Sequence, residues 1–119
     1  MVRNTDEHKV VNEPRGGKGS MKLHKLMTEE ELHGETTLIA RVVLDPSSES
    51  GYHRHVGEIE TYYVMSGQGM FKDEDGVERP IGPGQIGVIH DGQCHGIRNL
   101  SDEEPLVILA VVVNKAVNR

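Results

Sequence analysis

Hydrophobic and polar positions in this chain change over in short runs instead of following helical periods. The stretches Thr37–Leu44, Glu60–Met65, Gly69–Lys72, Gln85–His90, His95–Asn99 and Leu106–Val113 are rich in β-branched, aliphatic and aromatic residues. Between them stand the turn formers Asp45-Pro46, Asp73–Gly76, Pro80–Gly84 and Asp91-Gly92. Many short strands punctuated by Gly, Pro and Asp predict an all-β sandwich or barrel. Upstream, Met21–Leu26 alternates imperfectly, as a half-buried strand would. Thr28-Glu29-Glu30-Glu31 then carries a capping-box pattern, and Gly34 stops a helix of at most one or two turns.

Residues 1–20 read as a flexible arm or short strand, because polar positions surround only Val10-Val11 and glycines crowd Pro14–Ser20. Residues 21–119 then form one barrel domain, and a chain of 119 residues can build a single core without disulfides. The run Leu106–Val113 lacks polar alternation, so both of its faces should be covered. One face can pack inside the barrel while the other meets a second subunit, which points to a homodimer; coverage by the N-terminal arm would have the same signature.

Charge and composition narrow the partners. Nineteen acidic against thirteen basic residues give a net charge of −6, with no basic stripe to displace phosphate counterions, so nucleic acid is excluded. Cys94 is the only cysteine, which rules out an intrachain disulfide and suits a reducing compartment. Met1–Asn12 has no apolar core of a signal peptide, and Leu106–Val113 is too short to span a bilayer. A cytoplasmic protein without membrane partners is the expectation.

The chemistry concentrates in His53, His55, Glu60 and His95. Side chains on a strand alternate faces, so His53 and His55 project to one side and can offer two imidazole nitrogens to a single ion. Glu60 follows His55 by an odd step and needs an intervening turn, for which Gly57 is suited. Three neutral imidazoles and a carboxylate fit one divalent transition metal ion, whether Mn, Fe, Co, Ni, Cu or Zn, and disfavour the oxygen-seeking Ca and Mg. Four protein ligands on a six-coordinate ion leave two positions for a small oxygen-bearing anion: a carboxylate, keto acid or sugar acid.

Other residues could complete such a site. Tyr62 shares the face of Glu60 and could serve as acid, base or hydrogen-bond donor, or simply be a core tyrosine. Arg41, within an apolar strand, could clamp a carboxylate bidentately, or lie on the outer face. Glu58 and His90 read as solvated rim groups, Ile97 as an apolar lining residue on the face of His95, and Cys94 as a small buried side chain on the opposite face. Gly82-Pro-Gly84-Gln-Ile-Gly87 has the spacing of a dinucleotide loop, but Pro83 and the strand-like residues after it deny it the required helix.

The segment Gly84-x5-His90-x-Gly92-x2-His95-x3-Asn99 resembles the second motif of the cupin superfamily, and His53-x-His55-x4-Glu60-x6-Gly67 resembles the first. Two positions depart: Ser47 stands where the first motif opens with Gly, and His90 where the second has Pro. The motifs span residues 47–99. The resemblance implies a double-stranded β-helix, the jelly-roll cupin barrel, with Asn99 fixing a turn and dimers forming through strands. It also implies chemistries of decarboxylase, dioxygenase, isomerase or lyase type, with a likeness to single domains of oxalate decarboxylase. Enzymes of that kind add a mobile lid, for which Ser47–Ser50 is the one candidate loop. Three functions stay open: a metal-dependent enzyme, a non-catalytic binding or sensing module, and a barrel that the ion merely ties together.

Overall fold

The structure is a computed structural model and describes residues 1–114; the last positions of the expected domain, 115–119, lie outside the described residues. Ten strands form two antiparallel sheets. The larger runs in the order β1 (Lys9–Asn12), β2 (Ser20–Lys25), β3 (Thr36–Leu44), β10 (Leu106–Asn114), β5 (Glu58–Ser66) and β8 (Ile86–Ile89). The smaller runs β4 (Glu49–Arg54), β9 (Cys94–Asn99), β6 (Gly69–Lys72) and β7 (Glu78–Ile81). This is the expected jelly-roll barrel.

Strand parity decides what faces the interior. Leu106, Ile108, Ala110 and Val112 of β10 are buried, while Val107, Leu109 and Val111 between them are half-buried on the outer face. Ala110 sits opposite Ala40 on one side and Tyr62 on the other, so the even positions of β3, β10 and β5 share the inner surface. They pack with Val64, Phe71, Ile81, Ile89 and Ile97 into one core. Each buried Leu or Ile contributes roughly 1.5–3 kcal/mol of hydrophobic stabilisation.

Among the described residues helix is confined to α1 (Glu29–Leu32) and a 3-10 turn at Pro14–Gly16. The capping box at α1 is complete: Thr28 Oγ1 accepts from the Glu31 N–H at 3.2 Å, and Glu31 Oε1 accepts from the Thr28 N–H at 2.9 Å. Among the described residues no helix is long and apolar enough to cross a membrane.

Three local features differ from the pattern read in the sequence. β4 carries no β-branched residue in Glu-Ser-Gly-Tyr-His-Arg and becomes a strand through its pairing with β9. β7 includes Pro80, which a strand tolerates at the sheet edge that β7 occupies. Ser47–Ser50 is not a free loop. Its Ser48 is 2% exposed, the Ser47 N–H donates to Ser101 at 2.8 Å and the Asn99 N–H to the Ser48 carbonyl at 2.9 Å, so it is tied down on both sides. Ser47 takes the left-handed conformation (φ 58°) suited to the glycine that the motif has there.

Beyond the edge strand β1, part of residues 1–8 folds back onto the larger sheet. Arg41 donates to Thr5 Oγ1 at 3.0 Å and to its carbonyl oxygen at 3.2 Å, and His24 Nδ1 lies 2.8 Å from that carbonyl oxygen. The arm therefore covers part of the outer face over β2 and β3. Tyr63, Met65, Ile86 and Val88, at the β5–β8 end, stay exposed.

Candidate metal centre

His53 and His95 are direct partners across β4 and β9, Glu60 comes from β5 in the facing sheet, and His55 stands one residue past the end of β4. The chain then turns at Gly57, whose φ of 77° disfavours other residues, and re-enters the barrel wall as β5. That turn supplies the change of step that Glu60 required.

Two of the histidines are oriented by a second contact. His53 Nδ1 donates to the Gly51 carbonyl at 2.6 Å, which leaves Nε2 facing inward with a free lone pair. His55 Nδ1 lies 2.9 Å from Glu58 Oε1, again presenting Nε2 to the interior. His53 Nε2 and His55 Nε2 approach to 2.9 Å, His55 Nε2 and Glu60 Oε1 to 3.1 Å, and His95 Nε2 and Glu60 Oε1 to 2.8 Å. All four candidate ligand atoms fall within 4.8 Å of one another.

Burial sharpens the case. His55, Glu60 and His95 are 4%, 5% and 1% exposed, and Glu60 Oε1 and both His95 nitrogens have no hydrogen-bond partner. The 2.8 Å approach of His95 to Glu60 has the distance of an ion pair but not hydrogen-bond angles. We read it as two ligand atoms aimed at a common point. Buried polar atoms left unpaired are costly, and a cation among these four would give Glu60 Oε1 and His95 Nε2 a shared partner. The residues are thus positioned to bind a metal, and three imidazoles with one carboxylate suit a divalent transition ion.

The protonation states agree. Burial foremost, joined by the charges of His95, Arg15 and His55, lowers the His53 imidazole to about 4 against the pull of the Gly51 hydrogen bond, so it is neutral near pH 7. Burial raises the Glu60 carboxyl, but the approach of His95 and the charges of His95 and His55 outweigh it and hold the group below its ordinary value, as a carboxylate. Burial, followed by the Glu60 charge and a hydrogen bond to it, pushes the Tyr62 phenol well above its ordinary value. Tyr62 therefore keeps its proton near neutrality, its ring stacked on His95 with centroids 4.8 Å apart.

The group lies beside a cavity of about 170 Å³ lined by Arg15, Ser50, His53, Glu60 and Tyr62 on its polar side and by aliphatic residues elsewhere. Pockets for drug-sized ligands run roughly 300–1,000 Å³, so this one admits only a small molecule. A larger hollow of about 690 Å³ under the N-terminal arm contains none of the four candidate ligands.

Arg41 is not brought to the site. Leu38, Val42 and Leu44 of β3 line the cavity, and Arg41, an odd step from each, points to the outer face and binds Thr5. His90 is exposed, Cys94 is half-buried, and Ile97 lines the cavity. Asn99 ties the barrel end together, donating to the carbonyls of Leu44, Asp45 and Glu104 and accepting from Ser101. Glu58, read as a rim group, instead orients His55; its place three residues after that histidine, on the turn before Glu60, was the available signal. Arg15 had no sequence signal at all, lying in a glycine-rich segment far from either motif.

Known proteins share this fold. The family model described as the cupin domain matches residues 40–112. A curated relative from Thermotoga maritima named oxalate-binding protein is 37% identical over 103 residues, covering 87% of this chain and 84% of that protein. A crystal structure described as a predicted oxalate decarboxylase, also from Thermotoga maritima, superposes with a TM-score of 0.89 at 35% identity, over 96% of this chain and 99% of that one. A cupin 2 conserved barrel domain protein from Salinispora arenicola shares the fold, with a TM-score of 0.75 at 23% identity over 96% of this chain and 88% of that one. With a family model covering more than half its length and a third of its residues shared with a full-length relative, the chain belongs to the cupin family.

Proposed function

We propose that this protein is a metal-dependent cupin that acts on a small anionic, oxygen-bearing metabolite, with short dicarboxylates of the oxalate type the first class to test. The observation that carries the reading is the convergence of three imidazoles and the Glu60 carboxylate, with Glu60 Oε1 and the His95 nitrogens unpartnered and with His53 and Glu60 lining a small cavity. A divalent transition ion bound there supplies a Lewis-acid centre with positions open to an incoming oxygen ligand. The chain's own residues do the rest. Neutral His53 and ionised Glu60 are ready to ligate near pH 7 without first losing protons, and the aliphatic walls exclude bulk water. Tyr62 lines the cavity beside Glu60 with its phenol protonated, a donor for a bound anion. The names of the Thermotoga maritima relatives support oxalate as the first ligand to try.

A second reading, a binding module without turnover, is favoured by one observation. Tyr62, the candidate acid or base at the cavity, is held well above its ordinary pKa, and so keeps its proton and does not act as a base near neutrality. One experiment separates the two. Protein purified without added metal is assayed for elemental content, loaded with Mn²⁺ or Zn²⁺, and titrated calorimetrically with oxalate, a keto acid and a sugar acid while product release is followed. Binding with turnover supports the enzyme; binding without it supports the module. His55→Ala should lose the ion, and retention equal to that of the unaltered protein overturns the ligand set.

For assembly, we place a second copy of the chain on the exposed β5–β8 end of the larger sheet, around Tyr63, Met65, Ile86 and Val88, which the N-terminal arm leaves open. Sedimentation showing only monomer at micromolar concentration removes this part of the reading. A cytoplasmic setting agrees with the single free cysteine.

A further inference from the structure

We propose that Arg15 is the specificity-determining residue of the cavity, binding the far carboxylate of a short dianion whose near carboxylate meets the His53, His55, Glu60 and His95 group. The inference rests on the metal-dependent reading above and adds the residue that would select short dicarboxylates at this site. Arg15 is the one permanent cation among the described residues lining the cavity, whose remaining wall is largely aliphatic. No other described residue engages its guanidinium in a hydrogen bond or ion pair. Arg15 shares this cavity with Ser50, His53, Glu60 and Tyr62, which make up the rest of its polar side.

The backbone holds Arg15 in this place at a conformational cost. Its φ of 51° is left-handed, a region that non-glycine residues rarely occupy and that is enriched at ligand-binding sites. Pro14 before it is buried, the Gly16 N–H donates to the Glu13 carbonyl at 3.0 Å, and the Gly17 N–H to the Pro14 carbonyl at 2.8 Å. On the barrel side, a Cβ at Gly51 would overlap the Arg15 carbonyl oxygen and one at Gly17 would overlap the Glu49 carbonyl oxygen, so turn and strand β4 meet backbone to backbone. The strand that delivers His53 is therefore the strand that anchors Arg15.

The chemistry then selects the ligand. Arg15 is exposed as well as lining the cavity, so its guanidinium, a planar fork of donors that matches a carboxylate bidentately, is accessible to an incoming anion. An anion with one carboxylate can satisfy either the ion or Arg15; a short dicarboxylate satisfies both and fills a cavity too small for larger acids. The local cation also offsets the repulsion that a chain of net charge −6 presents to an approaching dianion.

The test compares Mn²⁺-loaded unaltered protein with Arg15→Gly and Arg15→Lys, titrated calorimetrically with oxalate and with acetate, with metal content measured after each titration. Arg15→Gly removes the guanidinium while relieving the left-handed backbone, so it should fold at least as well. We expect it to weaken oxalate by about tenfold or more, acetate by less than about threefold, and to leave metal content unchanged, with Arg15→Lys between. In metal-free protein the Arg15 Nε–H resonance should shift on adding oxalate. Unchanged oxalate affinity in Arg15→Gly, or equal losses for oxalate and acetate, overturns the assignment while leaving the metal-dependent reading standing. If the unaltered, metal-loaded protein binds neither anion, that reading fails and the assignment falls with it.

Discussion

Removing the carboxylate behind His55 should cost metal affinity far more than it costs the fold. Glu58 Oε1 lies 2.9 Å from His55 Nδ1, with the histidine side chain 4% and the glutamate side chain 25% exposed, so the pair is partly screened from water. Losing a hydrogen bond to a charged partner costs about 1.5–3 kcal/mol, and partial exposure puts this one toward the lower end. Only the share that differs between metal-free and metal-bound states enters the dissociation constant. That share is substantial, because a cation on Nε2 makes the opposite N–H a stronger donor and leaves the ring dependent on Glu58 for its orientation. A difference of about 1.5 kcal/mol corresponds to roughly a tenfold change. We therefore expect Glu58→Ala to bind Zn²⁺ about ten- to thirtyfold more weakly, with Glu58→Gln intermediate because its amide oxygen still accepts from Nδ1. Competition with a chromophoric chelator near neutral pH measures this, and unfolding of the metal-free variants should move by less than about 1 kcal/mol. Zn²⁺ affinities within about twofold of the unaltered protein in both variants would refute the orienting role.

Two further outcomes follow from the same geometry. The His53 pKa, lowered from 6.5 to about 4, means that the unfolded chain takes up a proton before the folded one does. This contribution to metal-free stability is complete above about pH 6.5 and is lost as the pH falls toward 4; thermal midpoints should decline across that window, and His53→Asn should flatten the decline, whereas an identical slope in the variant contradicts it. Gly51→Ala drives a methyl group into the Arg15 carbonyl and should destabilise the protein by about 2–3 kcal/mol in urea titration, while a loss under about 0.5 kcal/mol would show that β4 and the Pro14–Gly16 turn do not press together.

Much of this protein is legible from local pattern. Alternation and turn residues mark most of the strands of the barrel, because a face buried in a sheet must be apolar at every second position and chain reversals need residues that tolerate them. The identity of His53, His55, Glu60 and His95 is legible too, since the metal constrains residue type and spacing together. Tertiary structure decided what parity and composition left open. β4 has no strand-like composition and exists because β9 offers it hydrogen bonds; Arg41 turned outward because its register with His24 and Leu109 assigns it to the outer face. Glu58 became the partner of His55 only once the Gly57 turn set where each side chain falls. Arg15, separated in sequence from every other site residue, reaches the cavity through a backbone contact with Gly51 that leaves no periodicity to read. Local sequence specifies which residues can form strands and ligate, but the direction of a side chain at a turn, and the meeting of distant segments, are set by packing that closes only when the two sheets come together.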